Sequence, residues 1–162
     1  MISSKERLFN AWVREHYRFL LRGAWGLTGS RETAEELVQD AFEIAWRQQD
    51  QLRRKDSVRA WLFQILRREA LRHVSSTPSM VSWDEEHDHL QKVQPDGLDL
   101  RLDLIATLQR LSVAHRDILV LFYLQDLDYR EMASALEIPA GTVMSRLARA
   151  RGELQKLLEG AK

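Results

Sequence analysis

The stretch Asp128–Leu154, DYREMASALEIPAGTVMSRLARARGEL, decides how the rest of the chain is read. Its first part carries Tyr129, Met132, Ala133 and Leu136 at the spacing of one helical face. Asp128 stands where it can accept from the third helical amide while Glu131 reaches back, the spacing of a capping box. Pro139 and Gly141 then punctuate a tight turn, and small Ala133 allows two helix axes to approach. In the next helix Val143, Leu147, Ala150, Leu154, Leu157 and Leu158 share one sector at about 100° per residue. Thr142, Ser145, Arg146, Arg149 and Lys156 share another, with Glu153 among them. The apolar sector docks on the domain, so the Ser/Arg sector points outward. This is the pattern of a helix-turn-helix, whose second helix offers its first residues to base edges in the major groove. Arginine forks onto the two acceptors of guanine, while Ser and Thr reach a base or a phosphate. A solvated basic face on a packing helix shares the arginine spacing, but it does not require the capped helix and turn before it.

The whole chain is compatible with such a domain and one companion. At 162 residues it holds one ordinary domain or two small ones. It is 44% apolar and 30% charged with three prolines, the balance of a helix-rich protein with a core. No apolar run nears the roughly 18 residues of a membrane span, and MISSKERLFN lacks the apolar core of a secretory signal. The absence of cysteine excludes disulfides, thiolate catalysis and Cys-ligated zinc. These features predict a cytoplasmic protein without membrane insertion.

The formal net charge is zero, yet its signs are segregated. Residues 1–74 carry 14 Lys/Arg against 10 Asp/Glu, residues 75–100 carry one against six, and residues 101–162 carry nine against eight. The acidic middle, Ser75–Gly97, holds two of the three prolines, a serine cluster and no sustained helical period, and reads as a flexible linker. On its N-terminal side, Leu8–Leu27 is a long helix ended by Thr28–Ser30. A second helix, capped by Ser30 or Thr33, buries Ala34, Leu37, Val38, Ala41 and Ala45. A third starts near Asp56–Ser57 and buries Val58, Trp61, Leu62, Ile65 and Leu66. Beyond the linker, Leu98–Leu111 and an apolar helix over Val113–Leu124 precede the helix-turn-helix. Nothing alternates as a strand does. The fold class is all-α: two small helical domains at residues 1–74 and 98–162, joined by a flexible acidic linker at 75–97.

Three segments in order resemble the extracytoplasmic-function (ECF, group 4) sigma factors of the sigma-70 family. LSVAHRDILVLFYLQDLDYREMASALEIPAGTVMSRLARARGEL (Leu111–Leu154) resembles their region 4, which reads the −35 promoter element. TAEELVQDAFEIAW (Thr33–Trp46) resembles the region 2 segment that binds the clamp helices of RNA polymerase. VRAWLFQILRREAL (Val58–Leu71) resembles the helix that engages the melted −10 element. The resemblance covers nearly the whole chain. It implies an initiation factor whose partners are core RNA polymerase (clamp helices and flap), promoter DNA and an anti-sigma factor, with no cofactor.

The resemblance also assigns residues. Gln39, Asp40, Glu43 and Trp46 fall where the family contacts polymerase. Gln39, Glu43 and Trp46 lie at i, i+4 and i+7, an exposed ridge suited to a partner helix, although Trp46 could instead complete the core. Ser145, Arg146 and Arg149 match the −35 recognition positions, with Thr142 and Arg130 as phosphate contacts. Met144 departs from the Lys or Arg usual in the family and removes one charged contact. In the −10 helix, Arg68 and Arg72 replace the family's Asn and Asp, and with Arg67 they form a basic patch extended by Arg53, Arg54 and Lys55. Backbone attraction survives such changes, because phosphate contacts depend on charge. Trp61 either packs in the core or supports a captured base, a stack worth about 1–3 kcal/mol.

Two other function classes are weighed against this one. Asp84, His87 and His89 in WDEEHDH carry ligand types for a metal-dependent enzyme, but zinc needs a rigid, supported geometry that a linker does not supply. His16, His73 and His115 are scattered, and no nucleophile–base pair, paired carboxylates or glycine-rich phosphate loop can be argued, so no catalysis is expected. A helix-turn-helix regulator acting without polymerase core is the alternative within DNA binding.

Overall fold

A computed structural model of the chain describes residues 1–53, 57–76 and 97–160. Seven α-helices stand among the described residues, with no strand. Helix α1 (Ser4–Thr28) opens on a capping box in which Ser3 Oγ accepts from the Glu6 amide at 3.1 Å and Glu6 accepts from the Ser3 amide at 3.2 Å. It closes on Gly29, whose left-handed φ of 75° lets its amide donate back to the Trp25 carbonyl. Helix α2 (Arg31–Gln48) is capped by Ser30, and a 3-10 turn (Gln49–Gln51) follows. Helix α3 (Val58–Ser76) starts where the Ala60 amide donates to Ser57 Oγ. The stripe expected on α2 is fully buried, as are Leu62, Ile65 and Leu66 of α3, whereas Val58 and Trp61 are half-buried at the rim.

The second unit comprises α4 (Gly97–Leu108), α5 (Val113–Leu119), α6 (Tyr129–Leu136) and α7 (Ala140–Gly160). The helix expected over Val113–Leu124 is α-helical only to Leu119 and widens into a π turn at Val120–Leu124. The Gln125 amide donates to the Val120 carbonyl at 3.2 Å. No local residue signals this turn; Gln125 is held by a bond to α1, where its Nε2 donates to the Phe19 carbonyl at 2.6 Å. Asp128 and Glu131 form the capping box the sequence predicts.

Between α6 and α7 the turn is only Glu137–Pro139, so Gly141 lies within the first turn of α7 rather than in the turn itself. Glu137 is left-handed (φ 58°), and bonds from Ile138 to the Ala133 carbonyl and from Glu137 to the Ser134 carbonyl close a Schellman motif. On α7, Val143, Leu147, Ala150 and Leu154 are buried, but Leu158, expected on the same face, is 47% exposed. Leu158 lies in the last turn of this 21-residue helix, which at about 31 Å is longer than any other helix of the second unit.

The two units pack directly. One hydrophobic cluster runs from Phe19, Leu20 and Phe63 of the first to Val120, Leu121 and Leu127 of the second. Gly23 and Gly26 make this approach possible. A methyl at Gly23 would collide with the Gln125 amide, and one at Gly26 would lie 2.6 Å from Leu124 Cδ1 and 2.9 Å from Val120 Cγ2. Gln109 Nε2 on the α4 side donates to the Gly26 carbonyl at 2.8 Å, and its Oε1 accepts from Arg116 Nη1 at 2.9 Å.

Candidate nucleic-acid interface

Three surfaces carry the residues singled out in the sequence. The first is the outer face of α7. Met144 is 63% exposed, Ser145 and Arg149 are exposed, and Thr142 and Arg146 are half-buried at the edge of the face. Ser145 Oγ donates to the Thr142 carbonyl at 3.1 Å, a bond easily exchanged for an outside acceptor because both groups lie in the first turns. Arg130 is exposed on α6, one helix away. The docked apolar stripe and the three-residue turn orient this face, so the polar residues stand together at the N-terminal half of a helix long enough to lie in a groove.

The second surface is α3. Arg67 is half-buried and its Nε donates to Asp117 Oδ2 at 2.7 Å. Arg68 is exposed and bonds Glu137 at 2.8 Å, and Arg72 pairs with Glu69 one turn back at 3.0 Å. Burial pushes the Asp117 carboxyl up, while the bonded Arg67 and the charges of Arg67, Arg116 and Arg146 pull it down. Glu137 is held below the usual carboxylate range, chiefly by the Arg68 hydrogen bond. Trp61 is half-buried and meets Trp12 edge-on, with ring centres 5.7 Å apart, which places it against the core. Lys55 lies outside the described residues.

The third surface is a groove of about 1080 Å³ between α1 and α2. Gln39, Glu43 and Trp46 line it, together with Phe9, Val13, Tyr17 and Phe42, and with Glu32, Glu35 and Glu36. Asp40 is exposed on α2 outside that lining. Trp46 is half-buried; Phe9 meets it edge-on at 5.2 Å and Lys5 Nζ lies 5.4 Å above its ring. The α1 wall was missed in the sequence, although Phe9, Val13 and Tyr17 recur at four-residue steps along one helical face. An aromatic floor edged by carboxylates suits a partner helix carrying apolar and basic side chains.

Among the described residues no cluster of His, Asp or Glu could hold a metal ion, and no helix is long and apolar enough to cross a membrane. Asp84, His87 and His89 lie outside the described residues.

Comparison with known proteins assigns the chain to a family. Residues 12–77 match the family model for sigma-70 region 2, and residues 101–154 match that for sigma-70 region 4. The RNA polymerase sigma factor NccH of Alcaligenes xylosoxydans xylosoxydans is 30% identical over 164 residues, covering 94% of this chain and 88% of that protein. The ECF RNA polymerase sigma factor SigL of Mycobacterium tuberculosis is 30% identical over 151 residues, covering 90% and 85%. Two solved structures are similar over most of the chain. The sigma factor RpoE of Bartonella quintana, solved with the anti-sigma factor NepR, superposes with a TM-score of 0.69 at 29% identity, covering 92% of this chain and 97% of that one. CnrH, solved with the cytosolic domain of CnrY, gives 0.74 at 25% identity, covering 96% and 90%.

Two ordered sigma-70 domains on a helical fold define a transcription initiation factor. The chain belongs to the sigma-70 family as an extracytoplasmic-function RNA polymerase sigma factor, a protein that binds polymerase and gives it promoter recognition.

Proposed function

We propose a division of labour among the three surfaces. The α7 face reads the −35 element, with Ser145, Arg146 and Arg149 towards base edges, Thr142 and Arg130 on the backbone, and Met144 on the same DNA-facing side, where a basic residue would add a charged contact to the backbone. Helix α3, through Arg67, Arg68 and Arg72 and with Lys55 in the preceding loop, draws in the melted −10 strand, and Trp61 supports that helix from beneath. The α1–α2 groove, with Gln39, Asp40, Glu43 and Trp46, receives the clamp helices of polymerase, while the second domain meets the flap. The domains are those at 1–74 and 98–162 with the linker at 75–97. The chain works in the cytoplasm as a group 4 factor, performs no chemistry itself, and is held in check by an anti-sigma factor, by analogy with the structural neighbour solved with one.

The observation that carries this reading is the exposed Met144–Ser145–Arg149 face behind a capped helix and a three-residue turn. Run-off transcription with core polymerase on a genomic promoter library tests it. Wild type is expected to start at defined sites, Arg149→Ala to relax or shift site choice by about 1–3 kcal/mol of discrimination, and Asp40→Ala to weaken polymerase binding. Specific starts unaffected by Arg149→Ala would reject the assignment of α7.

A further inference from the structure

The outer face of α1 has no part in the division of labour above. Arg7, Arg14, Arg18 and Arg22 all stand exposed along it. At about 100° and 1.5 Å per residue, they fall within about 80° of one another and span about 22 Å. Among the described residues none of the four makes an ion pair or lies over an aromatic ring. By contrast, Arg59, Arg67, Arg68 and Arg72 of α3 each meet a carboxylate. Glu15 stands at the margin of the stripe, 3.9 Å from His16 Nε2. Phe9, Val13 and Tyr17, which line the groove, lie on an adjoining side of the helix, so the stripe is a separate surface.

Helix stability does not explain this pattern. Arg14, Arg18 and Arg22 succeed one another four residues apart, a like-charge spacing that weakens a helix. Packing does not explain it either, because the four side chains are exposed. The charge is local as well: α1 carries five Lys/Arg against two Glu, whereas α2 beside it carries two Arg against five acids. A uniform row of cations calls for a polyanion, and this chain is a promoter-binding factor. All four residues are arginines, whose planar fork takes a phosphate in two bonds. A 22 Å row faces about six phosphates of one duplex strand at roughly 3.4 Å each.

We propose that Arg7, Arg14, Arg18 and Arg22 form an anchor for the phosphate backbone of duplex DNA, separate from the α7 face. The anchor holds DNA without reading it, since phosphate contacts fix position and carry no sequence information directly. It adds affinity and salt dependence equally to every sequence, and leaves the choice of promoter to the other surfaces.

The test uses the full chain and a fluorescein-labelled duplex of scrambled sequence, with anisotropy read across a salt series. Circular dichroism and thermal unfolding check the fold of each variant. Arg14→Gln with Arg18→Gln and Arg22→Gln should stay helical, because glutamine is a comparable helix former. It should bind the duplex more weakly, with the slope of log affinity against log salt reduced by about three. Lysine at the same three positions should restore the slope. Arg18→Gln alone should reduce it by about one, whereas Arg110→Gln, which removes an exposed charge from the second unit, should change it less. In run-off transcription the triple glutamine variant should keep the wild-type order of preference among promoters. No binding by wild type at about 50 mM salt, an unchanged slope in the triple glutamine variant, or equal effects of Arg18→Gln and Arg110→Gln would each overturn the anchor. So would a triple glutamine variant that binds the duplex as wild type does but loses core polymerase or phosphatidylglycerol vesicles, which would make the stripe a protein or membrane contact.

Discussion

Glu137 shows how one residue serves two masters. It ends α6 in a left-handed conformation that costs a non-glycine residue about 1–2 kcal/mol, and from there it bonds Arg68 of the other domain. A half-exposed ion pair returns at most about 1 kcal/mol. Glu137→Gly therefore exchanges strain for the lost pair and should unfold in urea close to wild type, whereas Glu137→Ala loses the pair, keeps the strain and should fall about 1 kcal/mol below the glycine variant. An alanine variant as stable as the glycine one would show that the turn is not strained. His16 is a second case. It is buried on α1, and burial, more than the opposing charge of Glu15, lowers its pKa, with Arg59 adding to the decrease. A histidine lowered on folding binds its proton more readily when unfolded, so its contribution is complete above about pH 6.5 and is lost as pH falls through the folded value. Thermal unfolding should drop between pH 7 and pH 5 in wild type, and the drop should shrink in His16→Gln.

At the scale of elements, the helix-turn-helix was almost wholly legible. The Asp128–Glu131 capping box, the burial of Met132 and Leu136, and the docked face of α7 follow from local spacing and appear as expected, whereas Tyr129, placed on the same face as Met132 and Leu136, is 43% exposed. Leu158 escaped that logic because periodicity assigns a sector but not the length over which a partner covers it. Met144 is the informative residue of the recognition helix, since an apolar side chain stands exposed at the position where a charge is usual in the family. Met144→Arg should strengthen binding to duplex DNA and steepen the dependence of log affinity on log salt by about one. Fluorescence anisotropy across a salt series reads both; an unchanged slope would place residue 144 away from the phosphates.

At the scale of the molecule, the decisive contacts join the two sigma domains. Gly23 and Gly26 sit inside α1, where glycine costs about 0.8–1.0 kcal/mol relative to alanine, and their reason is visible only once Gln125, Leu124 and Val120 are seen against them. Gly26→Leu should leave α1 helical, even improve it locally, yet wedge the domains apart. Small-angle scattering should then show a larger radius of gyration than wild type. A radius that did not change would mean that the second domain can shift around the added side chain.

The sequence by itself determined the helices, the caps, the split into two units and the family, because each of these is written in contacts three or four residues apart or in ordered local motifs. It also placed Gln39, Glu43 and Trp46 beside one another and grouped Arg67, Arg68 and Arg72. Only the tertiary structure decided what those groups face. The α1 wall of the groove, the π turn before Gln125, and the carboxylates opposite the α3 arginines all join residues up to 106 positions apart. Such pairings are selected by shape and charge across a folded interface, and no periodicity along the chain records them.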